Sequence, residues 1–551
     1  MRKILSILFC ITIIFSMLCI SISSAEGSAI KTAGDFAAMT ADGDYYLDAD
    51  ISIDTTYETA FTGTFDGNGH TVTLTAPMFA QFDGTVRDLN IEGIELSGNK
   101  NLAAFALYTS KGITAINVVN TVNIRVTGIS DDKTSGLIAG GILADSNMAS
   151  INIFKSCVNY GNITVETAVV SDETKGTNYG TFVGGIVGRA DTLNIKFSEN
   201  HGDITALSNT SMVGGIVGRA AYVAFYSLCD IVDCTNTGNI VSGQDAGGMA
   251  GYIGVSANDI YVPYTIKNCD NSGNIAGGYR AGGFVGYCYS SGATTKYYLE
   301  ITSSITTGNV KAGRPNFDLA GNEQYAFASL FVGYANSVNN KIQGCLAIGE
   351  LSAITGDNYV TPFYVIMGCS SAITALCPIS ENYLCDNNTT EWYTYATAEA
   401  NVAQCITISD AISNNMLTRC TYDELKSGSI LTKLNEAAGA SIFVQNLATD
   451  DYPKFDSALR EQNATADLVE FEETTVVSET TTVAPDITTA PVVITTTAAP
   501  TTTVVPSTTT PVTTNTDDTT KTSGCGKSAT IFNSIMIISI LGSAVIIIKK
   551  H

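Results

Sequence analysis

Three histidines, at positions 70, 201 and 551, are the whole supply of the residue type used most often for acid–base and zinc chemistry. A zinc peptidase of the common type needs a His-Glu-x-x-His motif, whose two histidines lie on one helical face around the metal. None of the three, His70, His201 and His551, has a second histidine four residues away. We therefore predict no metal site and no cofactor, and we expect no peptidase activity of this type.

Carboxylates are the other candidates for catalysis, because glycosidases and polysaccharide lyases use them as acid, base or Ca²⁺ ligand. Asp48, Asp50 and Asp54 precede the repeats described below, and Asp66 and Asp83 fall in predicted turns. Turn aspartates commonly accept hydrogen bonds from nearby backbone, so a structural role is expected. No carboxylate recurs at a matching place in neighbouring repeats, and a catalytic cleft stays an alternative.

Tyrosines are the best candidates for ligand contact. They cluster in insertions that follow each glycine-rich repeat phrase, where loops over a rigid scaffold could present them to a sugar ring or a protein partner. The alternative is that they pack beside the scaffold and seal its core. The predicted ligand-binding residues are Tyr222, Tyr226, Tyr261, Tyr264 and Tyr289.

A glycine-rich phrase recurs every 30 to 35 residues and sets the architecture. Its copies are Gly184 to Gly188, Gly214 to Gly218, Gly247 to Gly251 and Gly282 to Gly286. Repeats of this length indicate a solenoid, because one copy cannot bury its own apolar face. Each unit holds three strand-like pieces, which predicts an all-β fold, a right-handed parallel β-helix, with one apolar column through its centre.

A second phrase, Cys-x-Asn-x-Gly-x-Ile, alternates with the first and predicts two further columns. The amides of Asn159, Asn200, Asn236 and Asn271 occupy one position and could bond to one another along the stack, as in other cross-β ladders. The glycine two residues later suits a turn with positive φ. Four cysteines form the other column, in which serine also occurs: Cys157, Cys234, Cys269 and Cys345.

Serine at the same place as these four cysteines, in Ser198 and Ser304, favours small buried thiols over disulfides. A later group of cysteines has no such column. Its members could pair in an oxidising exterior, with a connectivity that the spacing leaves open: Cys369, Cys377, Cys385, Cys405 and Cys420.

The two ends predict export and anchoring. Residues 1–25 have the basic start, apolar run and small-residue end of a secretory signal, with a lipoprotein signal at Cys19 as the alternative. Residues 529–548 are apolar and long enough to cross a bilayer, and the lysines that follow favour the cytoplasmic side. The predicted location is the cell membrane, single-pass, with the N-terminal domain displayed at the cell surface.

Composition completes the predicted organisation. The formal net charge of −24 argues against nucleic acid as a partner. A segment built largely of Thr, Val, Ala and Pro, with few large aromatic residues, predicts an extended stalk. The predicted domains are a signal peptide (1–25), an N-terminal cap (26–60), a parallel β-helix (61–351), a C-terminal cap (352–462), the stalk (463–528), a transmembrane helix (529–548) and a cytoplasmic tail (549–551).

The glycine-rich units resemble the GLUG repeat of bacterial surface and secreted proteins, including β-helical parts of IgA-specific metallopeptidases. The segment from Phe61 to His70 and that from Thr421 to Pro453 resemble flanks that such proteins carry, and the resemblance spans residues 30 to 456. Family members usually have Trp near the position of Phe443. The resemblance implies architecture; the peptidase activity of some relatives is not implied, because the zinc motif is missing.

Together these patterns predict an adhesin-like bacterial protein that binds an extracellular glycan or a surface protein through the lateral face of the solenoid, without catalysis. The alternative is a surface-anchored polysaccharide lyase or glycoside hydrolase on the same scaffold.

Overall fold

The structure is a computed structural model. It describes residues 27–127, 136–146, 151–166, 180–208, 210–222, 229–255, 264–290, 299–313, 326–336, 340–353, 363–364, 367–369, 379–385 and 415–479. All of them belong to one compact unit, Met1–Thr481, and a second unit, Thr482–His551, lies outside them. The predicted signal peptide and the predicted span at 529–548 therefore lie outside the described residues. Within those residues, no helix has the length and hydropathy needed to cross a bilayer.

Nearly all strands are parallel, and each pairs with the equivalent strand of the next repeat. Ile163–Glu166, for example, pairs with Ile204–Ala206, which pairs with Ile240–Ser242. The chain thus passes through the same sheets in the same order in each repeat, and the repeats stack as coils about 4.8 Å apart. The described part of the fold is accordingly mostly parallel β-structure, with few helices, and is solenoid-like.

The largest sheet has 22 described strands, two in most coils. They are Ser28–Ile30, Tyr45–Leu47, Ile51–Ile53, Thr64–Asp66, Thr71–Leu74, Thr85–Glu92, Thr114–Asn120, Ile151–Lys155, Val158–Asn159, Thr192–Lys196, Glu199–Asn200, Cys229–Val232, Thr235–Asn236, Tyr264–Lys267, Asp270–Asn271, Leu299–Thr302, Ile305–Thr306, Asn340–Gln343, Leu346–Ala347, Ile379–Ser380, Asn382–Cys385 and Leu417–Cys420.

Three further sheets, each with eight described strands, follow in chain order in the coils between Glu95 and Cys369. The second sheet comprises Glu95–Gly98, Asn123–Thr127, Ile163–Glu166, Ile204–Ala206, Ile240–Ser242, Ile275–Gly277, Val310–Ala312 and Leu351–Ala353. The third comprises Leu102–Ala103, Ile138–Gly140, Thr181–Gly184, Ser211–Gly214, Asp245–Gly247, Arg280–Gly282, Phe327–Ser329 and Phe363–Tyr364. The fourth comprises Ala106–Thr109, Leu143–Ser146, Val187–Ala190, Val217–Tyr222, Ala250–Val255, Val285–Ser290, Val332–Ala335 and Met367–Cys369.

The glycine-rich phrase was predicted as one of the three strand-like pieces of each unit, but it forms a corner between two strands. One strand ends at Gly184 and the next begins at Val187, so each coil contains more strands than the predicted three. A Cβ at Gly185 would overlap the Gly215 carbonyl of the next coil and the amide of Asn200. The corner therefore needs glycine because backbone of the neighbouring coil packs directly against it.

The apolar residue at this corner points into the core of every coil. From Ile142 to Phe284, the backbone N–H of each member donates to the carbonyl of its counterpart in the next coil at 2.9–3.1 Å. The members of the column are fully buried: Ile142, Ile186, Ile216, Met249, Phe284 and Phe331. Stacking identical positions this way gives one continuous core along the solenoid.

The second glycine phrase corrects one expectation. Gly161 and its counterparts do not adopt positive φ; a Cβ at Gly161 would instead overlap the Val122 carbonyl of the preceding coil. Positive φ occurs just before the cysteine or serine position, at residues such as Ser156, Asp233 and Asn268. This residue with positive φ bends the chain between the two strands of the large sheet. The glycine of the phrase is needed because the backbone of the preceding coil packs directly against it.

Short elements lie at both ends of the described stack. Helix α1 (Ala33–Ala37) begins at a capping box formed by Thr32 and Asp35, and its Phe36 packs edge-on against Phe65 and Phe79. At the C-terminal end lie α2 (Tyr422–Lys426), α3 (Ser429–Ala438), an antiparallel pair (Phe443–Val444 and Lys454–Phe455) and α4 (Ser457–Glu479). We call residues 421–479 the C-terminal module.

Helix α4 includes the start of the segment that the composition predicts as a stalk. Residues such as Ala458, Leu459 and Ala464 have high helix propensity, and the side chains of the first turns contact the large sheet. Both factors favour a helix over an extended chain at this place.

Candidate functional site

One side of the stack carries a row of arginine and tyrosine side chains, which we call the aromatic–arginine strip. In the fourth sheet, register-paired residues form its first row: Tyr108, Asp145, Arg189, Arg219, Tyr252, Tyr287 and Tyr334. In the third sheet they form its second row: Phe182, Met212, Asp245, Arg280 and Phe327. These residues alternate with core residues along each strand, so they project from the opposite side of the sheet.

Cation–π contacts join the two rows across the corner. The Arg219 guanidinium lies 5.3 Å from the ring centroid of Phe182 and 5.8 Å from that of Tyr252. The Arg280 guanidinium lies 3.5 Å from the ring centroid of Tyr287 and 4.6 Å from that of Tyr279. Each such contact contributes about 0.5–2 kcal/mol, so the strip is a fixed surface.

The tyrosines of the strip also contact one another from coil to coil. The Tyr252 and Tyr287 ring centroids are 5.4 Å apart and edge-on, and those of Tyr287 and Tyr334 are 5.7 Å apart. Phe327 lies 4.7 Å from Tyr334. Tyr252, Tyr287 and Tyr334 are only partly buried, so part of each ring or hydroxyl faces solvent.

Each arginine of the strip has a carboxylate partner, which makes the strip close to neutral. Arg189 donates to both Asp145 oxygens, at 2.6 and 2.7 Å, and Arg280 donates to Asp245 at 2.6 Å. Arg219 lies 3.6 Å from Asp191. Burial raises the pKa of Asp191 to about 6, against the opposing effect of Arg219.

Burial also raises the pKa of the Tyr252 and Tyr287 hydroxyls, although arginines nearby oppose it. Both hydroxyls therefore remain protonated hydrogen-bond donors at neutral pH. The sequence carries a signal for the strip that the sequence analysis missed. The residue directly after the glycine-rich phrase is always arginine or tyrosine, as in Gly188-Arg189 and Gly251-Tyr252.

The structure separates the five tyrosines predicted as ligand contacts. Tyr289 joins the strip, with its ring centroid 6.2 Å from that of Tyr287 and its side chain partly exposed. The prediction for Tyr264 is wrong: this residue begins a strand of the large sheet and is 4% exposed, so it packs in the core. The backbone of Tyr222 ends a strand of the fourth sheet. Its side chain, Tyr226 and Tyr261 lie outside the described residues.

The asparagine column forms a hydrogen-bonded ladder inside the stack. Each Nδ2 donates to the Oδ1 of the next asparagine at 2.8 Å, from Asn159 through Asn200 and Asn236 to Asn271. Each Nδ2 also donates to the carbonyl of the glycine two residues ahead. Asn120 begins the ladder, which the repeat phrase did not indicate, and all these residues are fully buried.

The cysteine column is also buried, and its four predicted members carry thiols. Their sulfurs donate to backbone carbonyls; Cys269, for example, lies 3.3 Å from both the Ile231 and Lys267 oxygens. Burial raises the pKa of the Cys157 and Cys345 thiols to about 12, so these thiols stay protonated. Cys234 occupies the same position one coil before Cys269.

A cleft, which we call the acidic cleft, lies between the large sheet and the C-terminal module. It has a volume of about 510 Å³, and its lining includes Glu199, Asp233, Asp270, Tyr452, Phe455 and Arg460. Asp233 and Asp270 lie on adjacent coils, as the bond from the Asp270 N–H to the Cys234 carbonyl shows. The coils therefore bring together two carboxylates that occupy different repeat positions.

The pKa values of these carboxylates differ. Burial raises the pKa of Asp270 to about 6, and it also raises that of Asp233, while Arg460 acts in the opposite direction on both. The pKa of Glu199 is held below its ordinary value, first by the hydrogen bond from His201 at 2.7 Å. Acidic side chains of unequal pKa in one cleft are a common feature of catalytic sites.

Helix α4 forms one wall of the acidic cleft and is held by charged contacts. Arg460 donates to the Thr235 hydroxyl at 2.9 Å and to the Asn268 carbonyl at 2.6 Å, and it lies over the Phe455 ring. Asp467 pairs with Lys155 at 2.7 Å and with Lys196 at 2.9 Å. These partners are far apart in sequence, so the sequence offered no signal for the cleft.

The aspartates of the two predicted turns, Asp66 and Asp83, have structural partners. Asp83 accepts hydrogen bonds from the Ser110 and Lys111 backbone and from the Thr109 hydroxyl. Asp66 pairs with Arg87 at 2.9 Å. Within the described ranges, no group of histidine, cysteine and acidic residues has the arrangement of a metal site.

Comparisons with known proteins add little to this geometry. No family profile matches the chain, and no curated protein matches it. One solved structure, a candidate immunoglobulin A1 protease from Bacteroides ovatus, is similar over 79% of this chain and 93% of its own, with 14% identity and a TM-score of 0.26. At that TM-score the similarity supports no argument about fold or function.

Proposed function

We propose that this chain is a GLUG-repeat, adhesin-like protein of the bacterial cell surface, whose right-handed parallel β-helix binds an extracellular glycan. The aromatic–arginine strip is the proposed contact surface. Export would depend on residues 1–25 and anchoring on residues 529–548. A non-catalytic role is proposed for the strip, because its carboxylates are engaged by arginines.

The observation that carries this proposal is the row of partly exposed Tyr252, Tyr287 and Tyr334 rings, fixed by Arg280 and Arg219. Aromatic rings held at coil spacing offer apolar contact area with little further loss of side-chain entropy on binding. Their protonated hydroxyls can donate to sugar oxygens. A near-neutral strip on a chain with a net charge of −24 favours a neutral glycan over a charged one.

The proposal is tested by applying the full chain, in mild detergent, to an array of immobilised glycans and matrix proteins. A variant with Tyr252, Tyr287 and Tyr334 changed to leucine keeps apolar cover over Arg280 but removes rings and hydroxyls. We expect it to lose at least 10-fold in affinity. The matched control is Tyr160→Leu, an exposed tyrosine (54%) outside the strip, which should bind as the wild type does.

Equal binding by the triple variant and the wild type, with both correctly folded by circular dichroism, would overturn the strip as the contact surface. Retention on a matrix protein and on no glycan would contradict the proposed ligand class.

Catalysis in the acidic cleft is a second candidate, and one observation favours it. Asp270, with a pKa of about 6, and Glu199, whose pKa the hydrogen bond from His201 lowers, line the same cleft. Such a pair suits a general acid with an ionised partner in polysaccharide cleavage. Release of glycan fragments by the wild type and at least 100-fold slower release by Asp270→Asn would support it. Equal release by both proteins would exclude the pair.

A further inference from the structure

Cys385 and Cys420 lie directly opposite each other near the end of the described stack. They are register partners in the last two strands of the large sheet, Asn382–Cys385 and Leu417–Cys420. Opposed residues of neighbouring parallel strands have Cα atoms about 4.8 Å apart. That separation is within the range of about 4.4–6.8 Å that a disulfide spans.

Both side chains face the C-terminal module. Cys385 is 2% and Cys420 is 5% exposed, and they share an apolar cluster with Leu425, Leu434 and Phe443. The two thiols are hydrogen-bonded to each other, and this bond, with burial, raises the pKa of Cys420. The pair therefore lies where the last coil meets the module, at the boundary between two parts of the fold.

This pair differs from the cysteines of the ladder. Cys234 and Cys269 also lie opposite each other on adjacent coils and interact with each other, but each of these thiols is in addition within hydrogen-bonding distance of two backbone carbonyls. Serine replaces cysteine in the same column, as in Ser198, whose hydroxyl makes the equivalent bond to the Lys196 carbonyl. A cysteine of this column thus donates to a backbone carbonyl, a role that a single thiol or hydroxyl can perform without forming a disulfide.

We propose that Cys385 and Cys420 form an intramolecular disulfide that joins the last two described strands of the large sheet and so fastens the start of the C-terminal module, at residue 421, to the stack. The oxidant is a small-molecule disulfide or a disulfide oxidoreductase. One cysteine thiolate attacks the donor disulfide and releases one donor thiol; the second cysteine thiolate then displaces the other. Two protein thiols and one disulfide become one protein disulfide and two donor thiols, with the two protons transferred to the released thiolates.

The cross-link goes beyond the proposed function. It needs only an oxidising environment, such as a surface location provides, and its chemistry does not depend on any ligand. Because both thiols are buried in the folded chain, the bond forms during folding, before α2 and α3 pack over the pair.

The test refolds the full chain from denaturant in a mixture of oxidised and reduced glutathione. Remaining thiols are then alkylated in denaturant, and peptides are mapped by mass spectrometry without reduction. We expect one peptide pair that joins Cys385 to Cys420, and alkylated Cys157, Cys234, Cys269 and Cys345. Alkylation of both Cys385 and Cys420, or a bond from either to another cysteine, would overturn the proposal.

Variants provide a second readout that a folding failure cannot imitate. Reductant should lower the unfolding midpoint of the oxidised wild type by about 5 °C or more. It should not change the midpoint of Cys385→Ser or Cys420→Ser. The control Cys234→Ser, which substitutes the residue that the column already tolerates, should respond to reductant as the wild type does. A wild-type midpoint that ignores reductant would contradict the cross-link, whatever the outcome of the binding experiments.

Discussion

Replacing Asn236 by alanine should destabilise the coils around it far more than replacing a nearby asparagine on the surface. Asn236 accepts from Asn200 and donates to Asn271 and to the Gly238 carbonyl, at 2.8–2.9 Å. The substitution leaves three buried groups without this partner, namely the Asn200 Nδ2, the Asn271 Oδ1 and the Gly238 oxygen. Each buried polar group that loses its partner costs about 1–3 kcal/mol, so the expected loss is about 3–9 kcal/mol.

The matched control is Asn239→Ala in the same coil. Asn239 is exposed; its side chain donates to Asp203 at 3.0 Å and accepts from the Asn274 side chain at 3.0 Å. Water can replace both of these exposed partners, so we expect a loss below about 1 kcal/mol. The two variants share the residue type, the coil and the substitution, and they differ in the burial of the asparagine that is replaced.

The assay is hydrogen–deuterium exchange of peptides from the coils that contain Asn200, Asn236 and Asn271, together with urea unfolding followed by circular dichroism. Peptide-resolved exchange is the primary readout because a repeat array can unfold in parts. We expect faster exchange in these coils for Asn236→Ala and little change for Asn239→Ala. Equal effects of the two variants would refute the view that the buried ladder stabilises the stack.

Two further predictions concern the acidic cleft. The pKa of Asp270 is raised from 3.8 to about 6 in the folded state, so ionisation of Asp270 lowers the stability of the wild type at a pH above these values. This destabilisation is nearly absent at about pH 3, below both pKa values, and complete above about pH 7. Asp270→Asn should therefore be more stable than the wild type by about 3 kcal/mol at pH 8 and nearly equal to it at pH 3. Urea unfolding at both pH values measures this, and a pH-independent difference would contradict it. Arg460→Ala removes the contacts to Thr235 and Asn268 and should increase hydrogen exchange and proteolysis of residues 457–467 several-fold. The control Lys454→Ala, which removes an exposed ion pair, should not. Unchanged protection in Arg460→Ala would show that other contacts hold α4.

The repeat phrases predicted the parts of the fold that depend on a period. Residues such as Ile186 and Ile216 recur at one position, and positions one repeat apart become neighbours when coils stack. The asparagine ladder was predictable for the same reason. Its first member, Asn120, was not, because the residues around it lack the cysteine and glycine of the phrase.

Other features depend on contacts that no local pattern encodes. Arg460 reaches Thr235, 225 residues away, so neither the cleft nor the position of α4 could be derived from spacing. Tyr264 follows an insertion, and tyrosine is common in loops, so its burial could not be predicted from the sequence. The register of its strand directs the side chain into the core. The strip needed the register of two adjacent sheets, although its glycine–arginine and glycine–tyrosine pairs are visible in the sequence.

The most direct test of the central claim measures retention and product release together. The full chain is incubated with the array of glycans and matrix proteins, and bound protein and soluble fragments are quantified in the same wells. The account predicts saturable retention on a glycan, with no fragments above those of wells without protein. Fragment release with no retained protein would contradict a binding role for the strip and would favour catalysis in the acidic cleft.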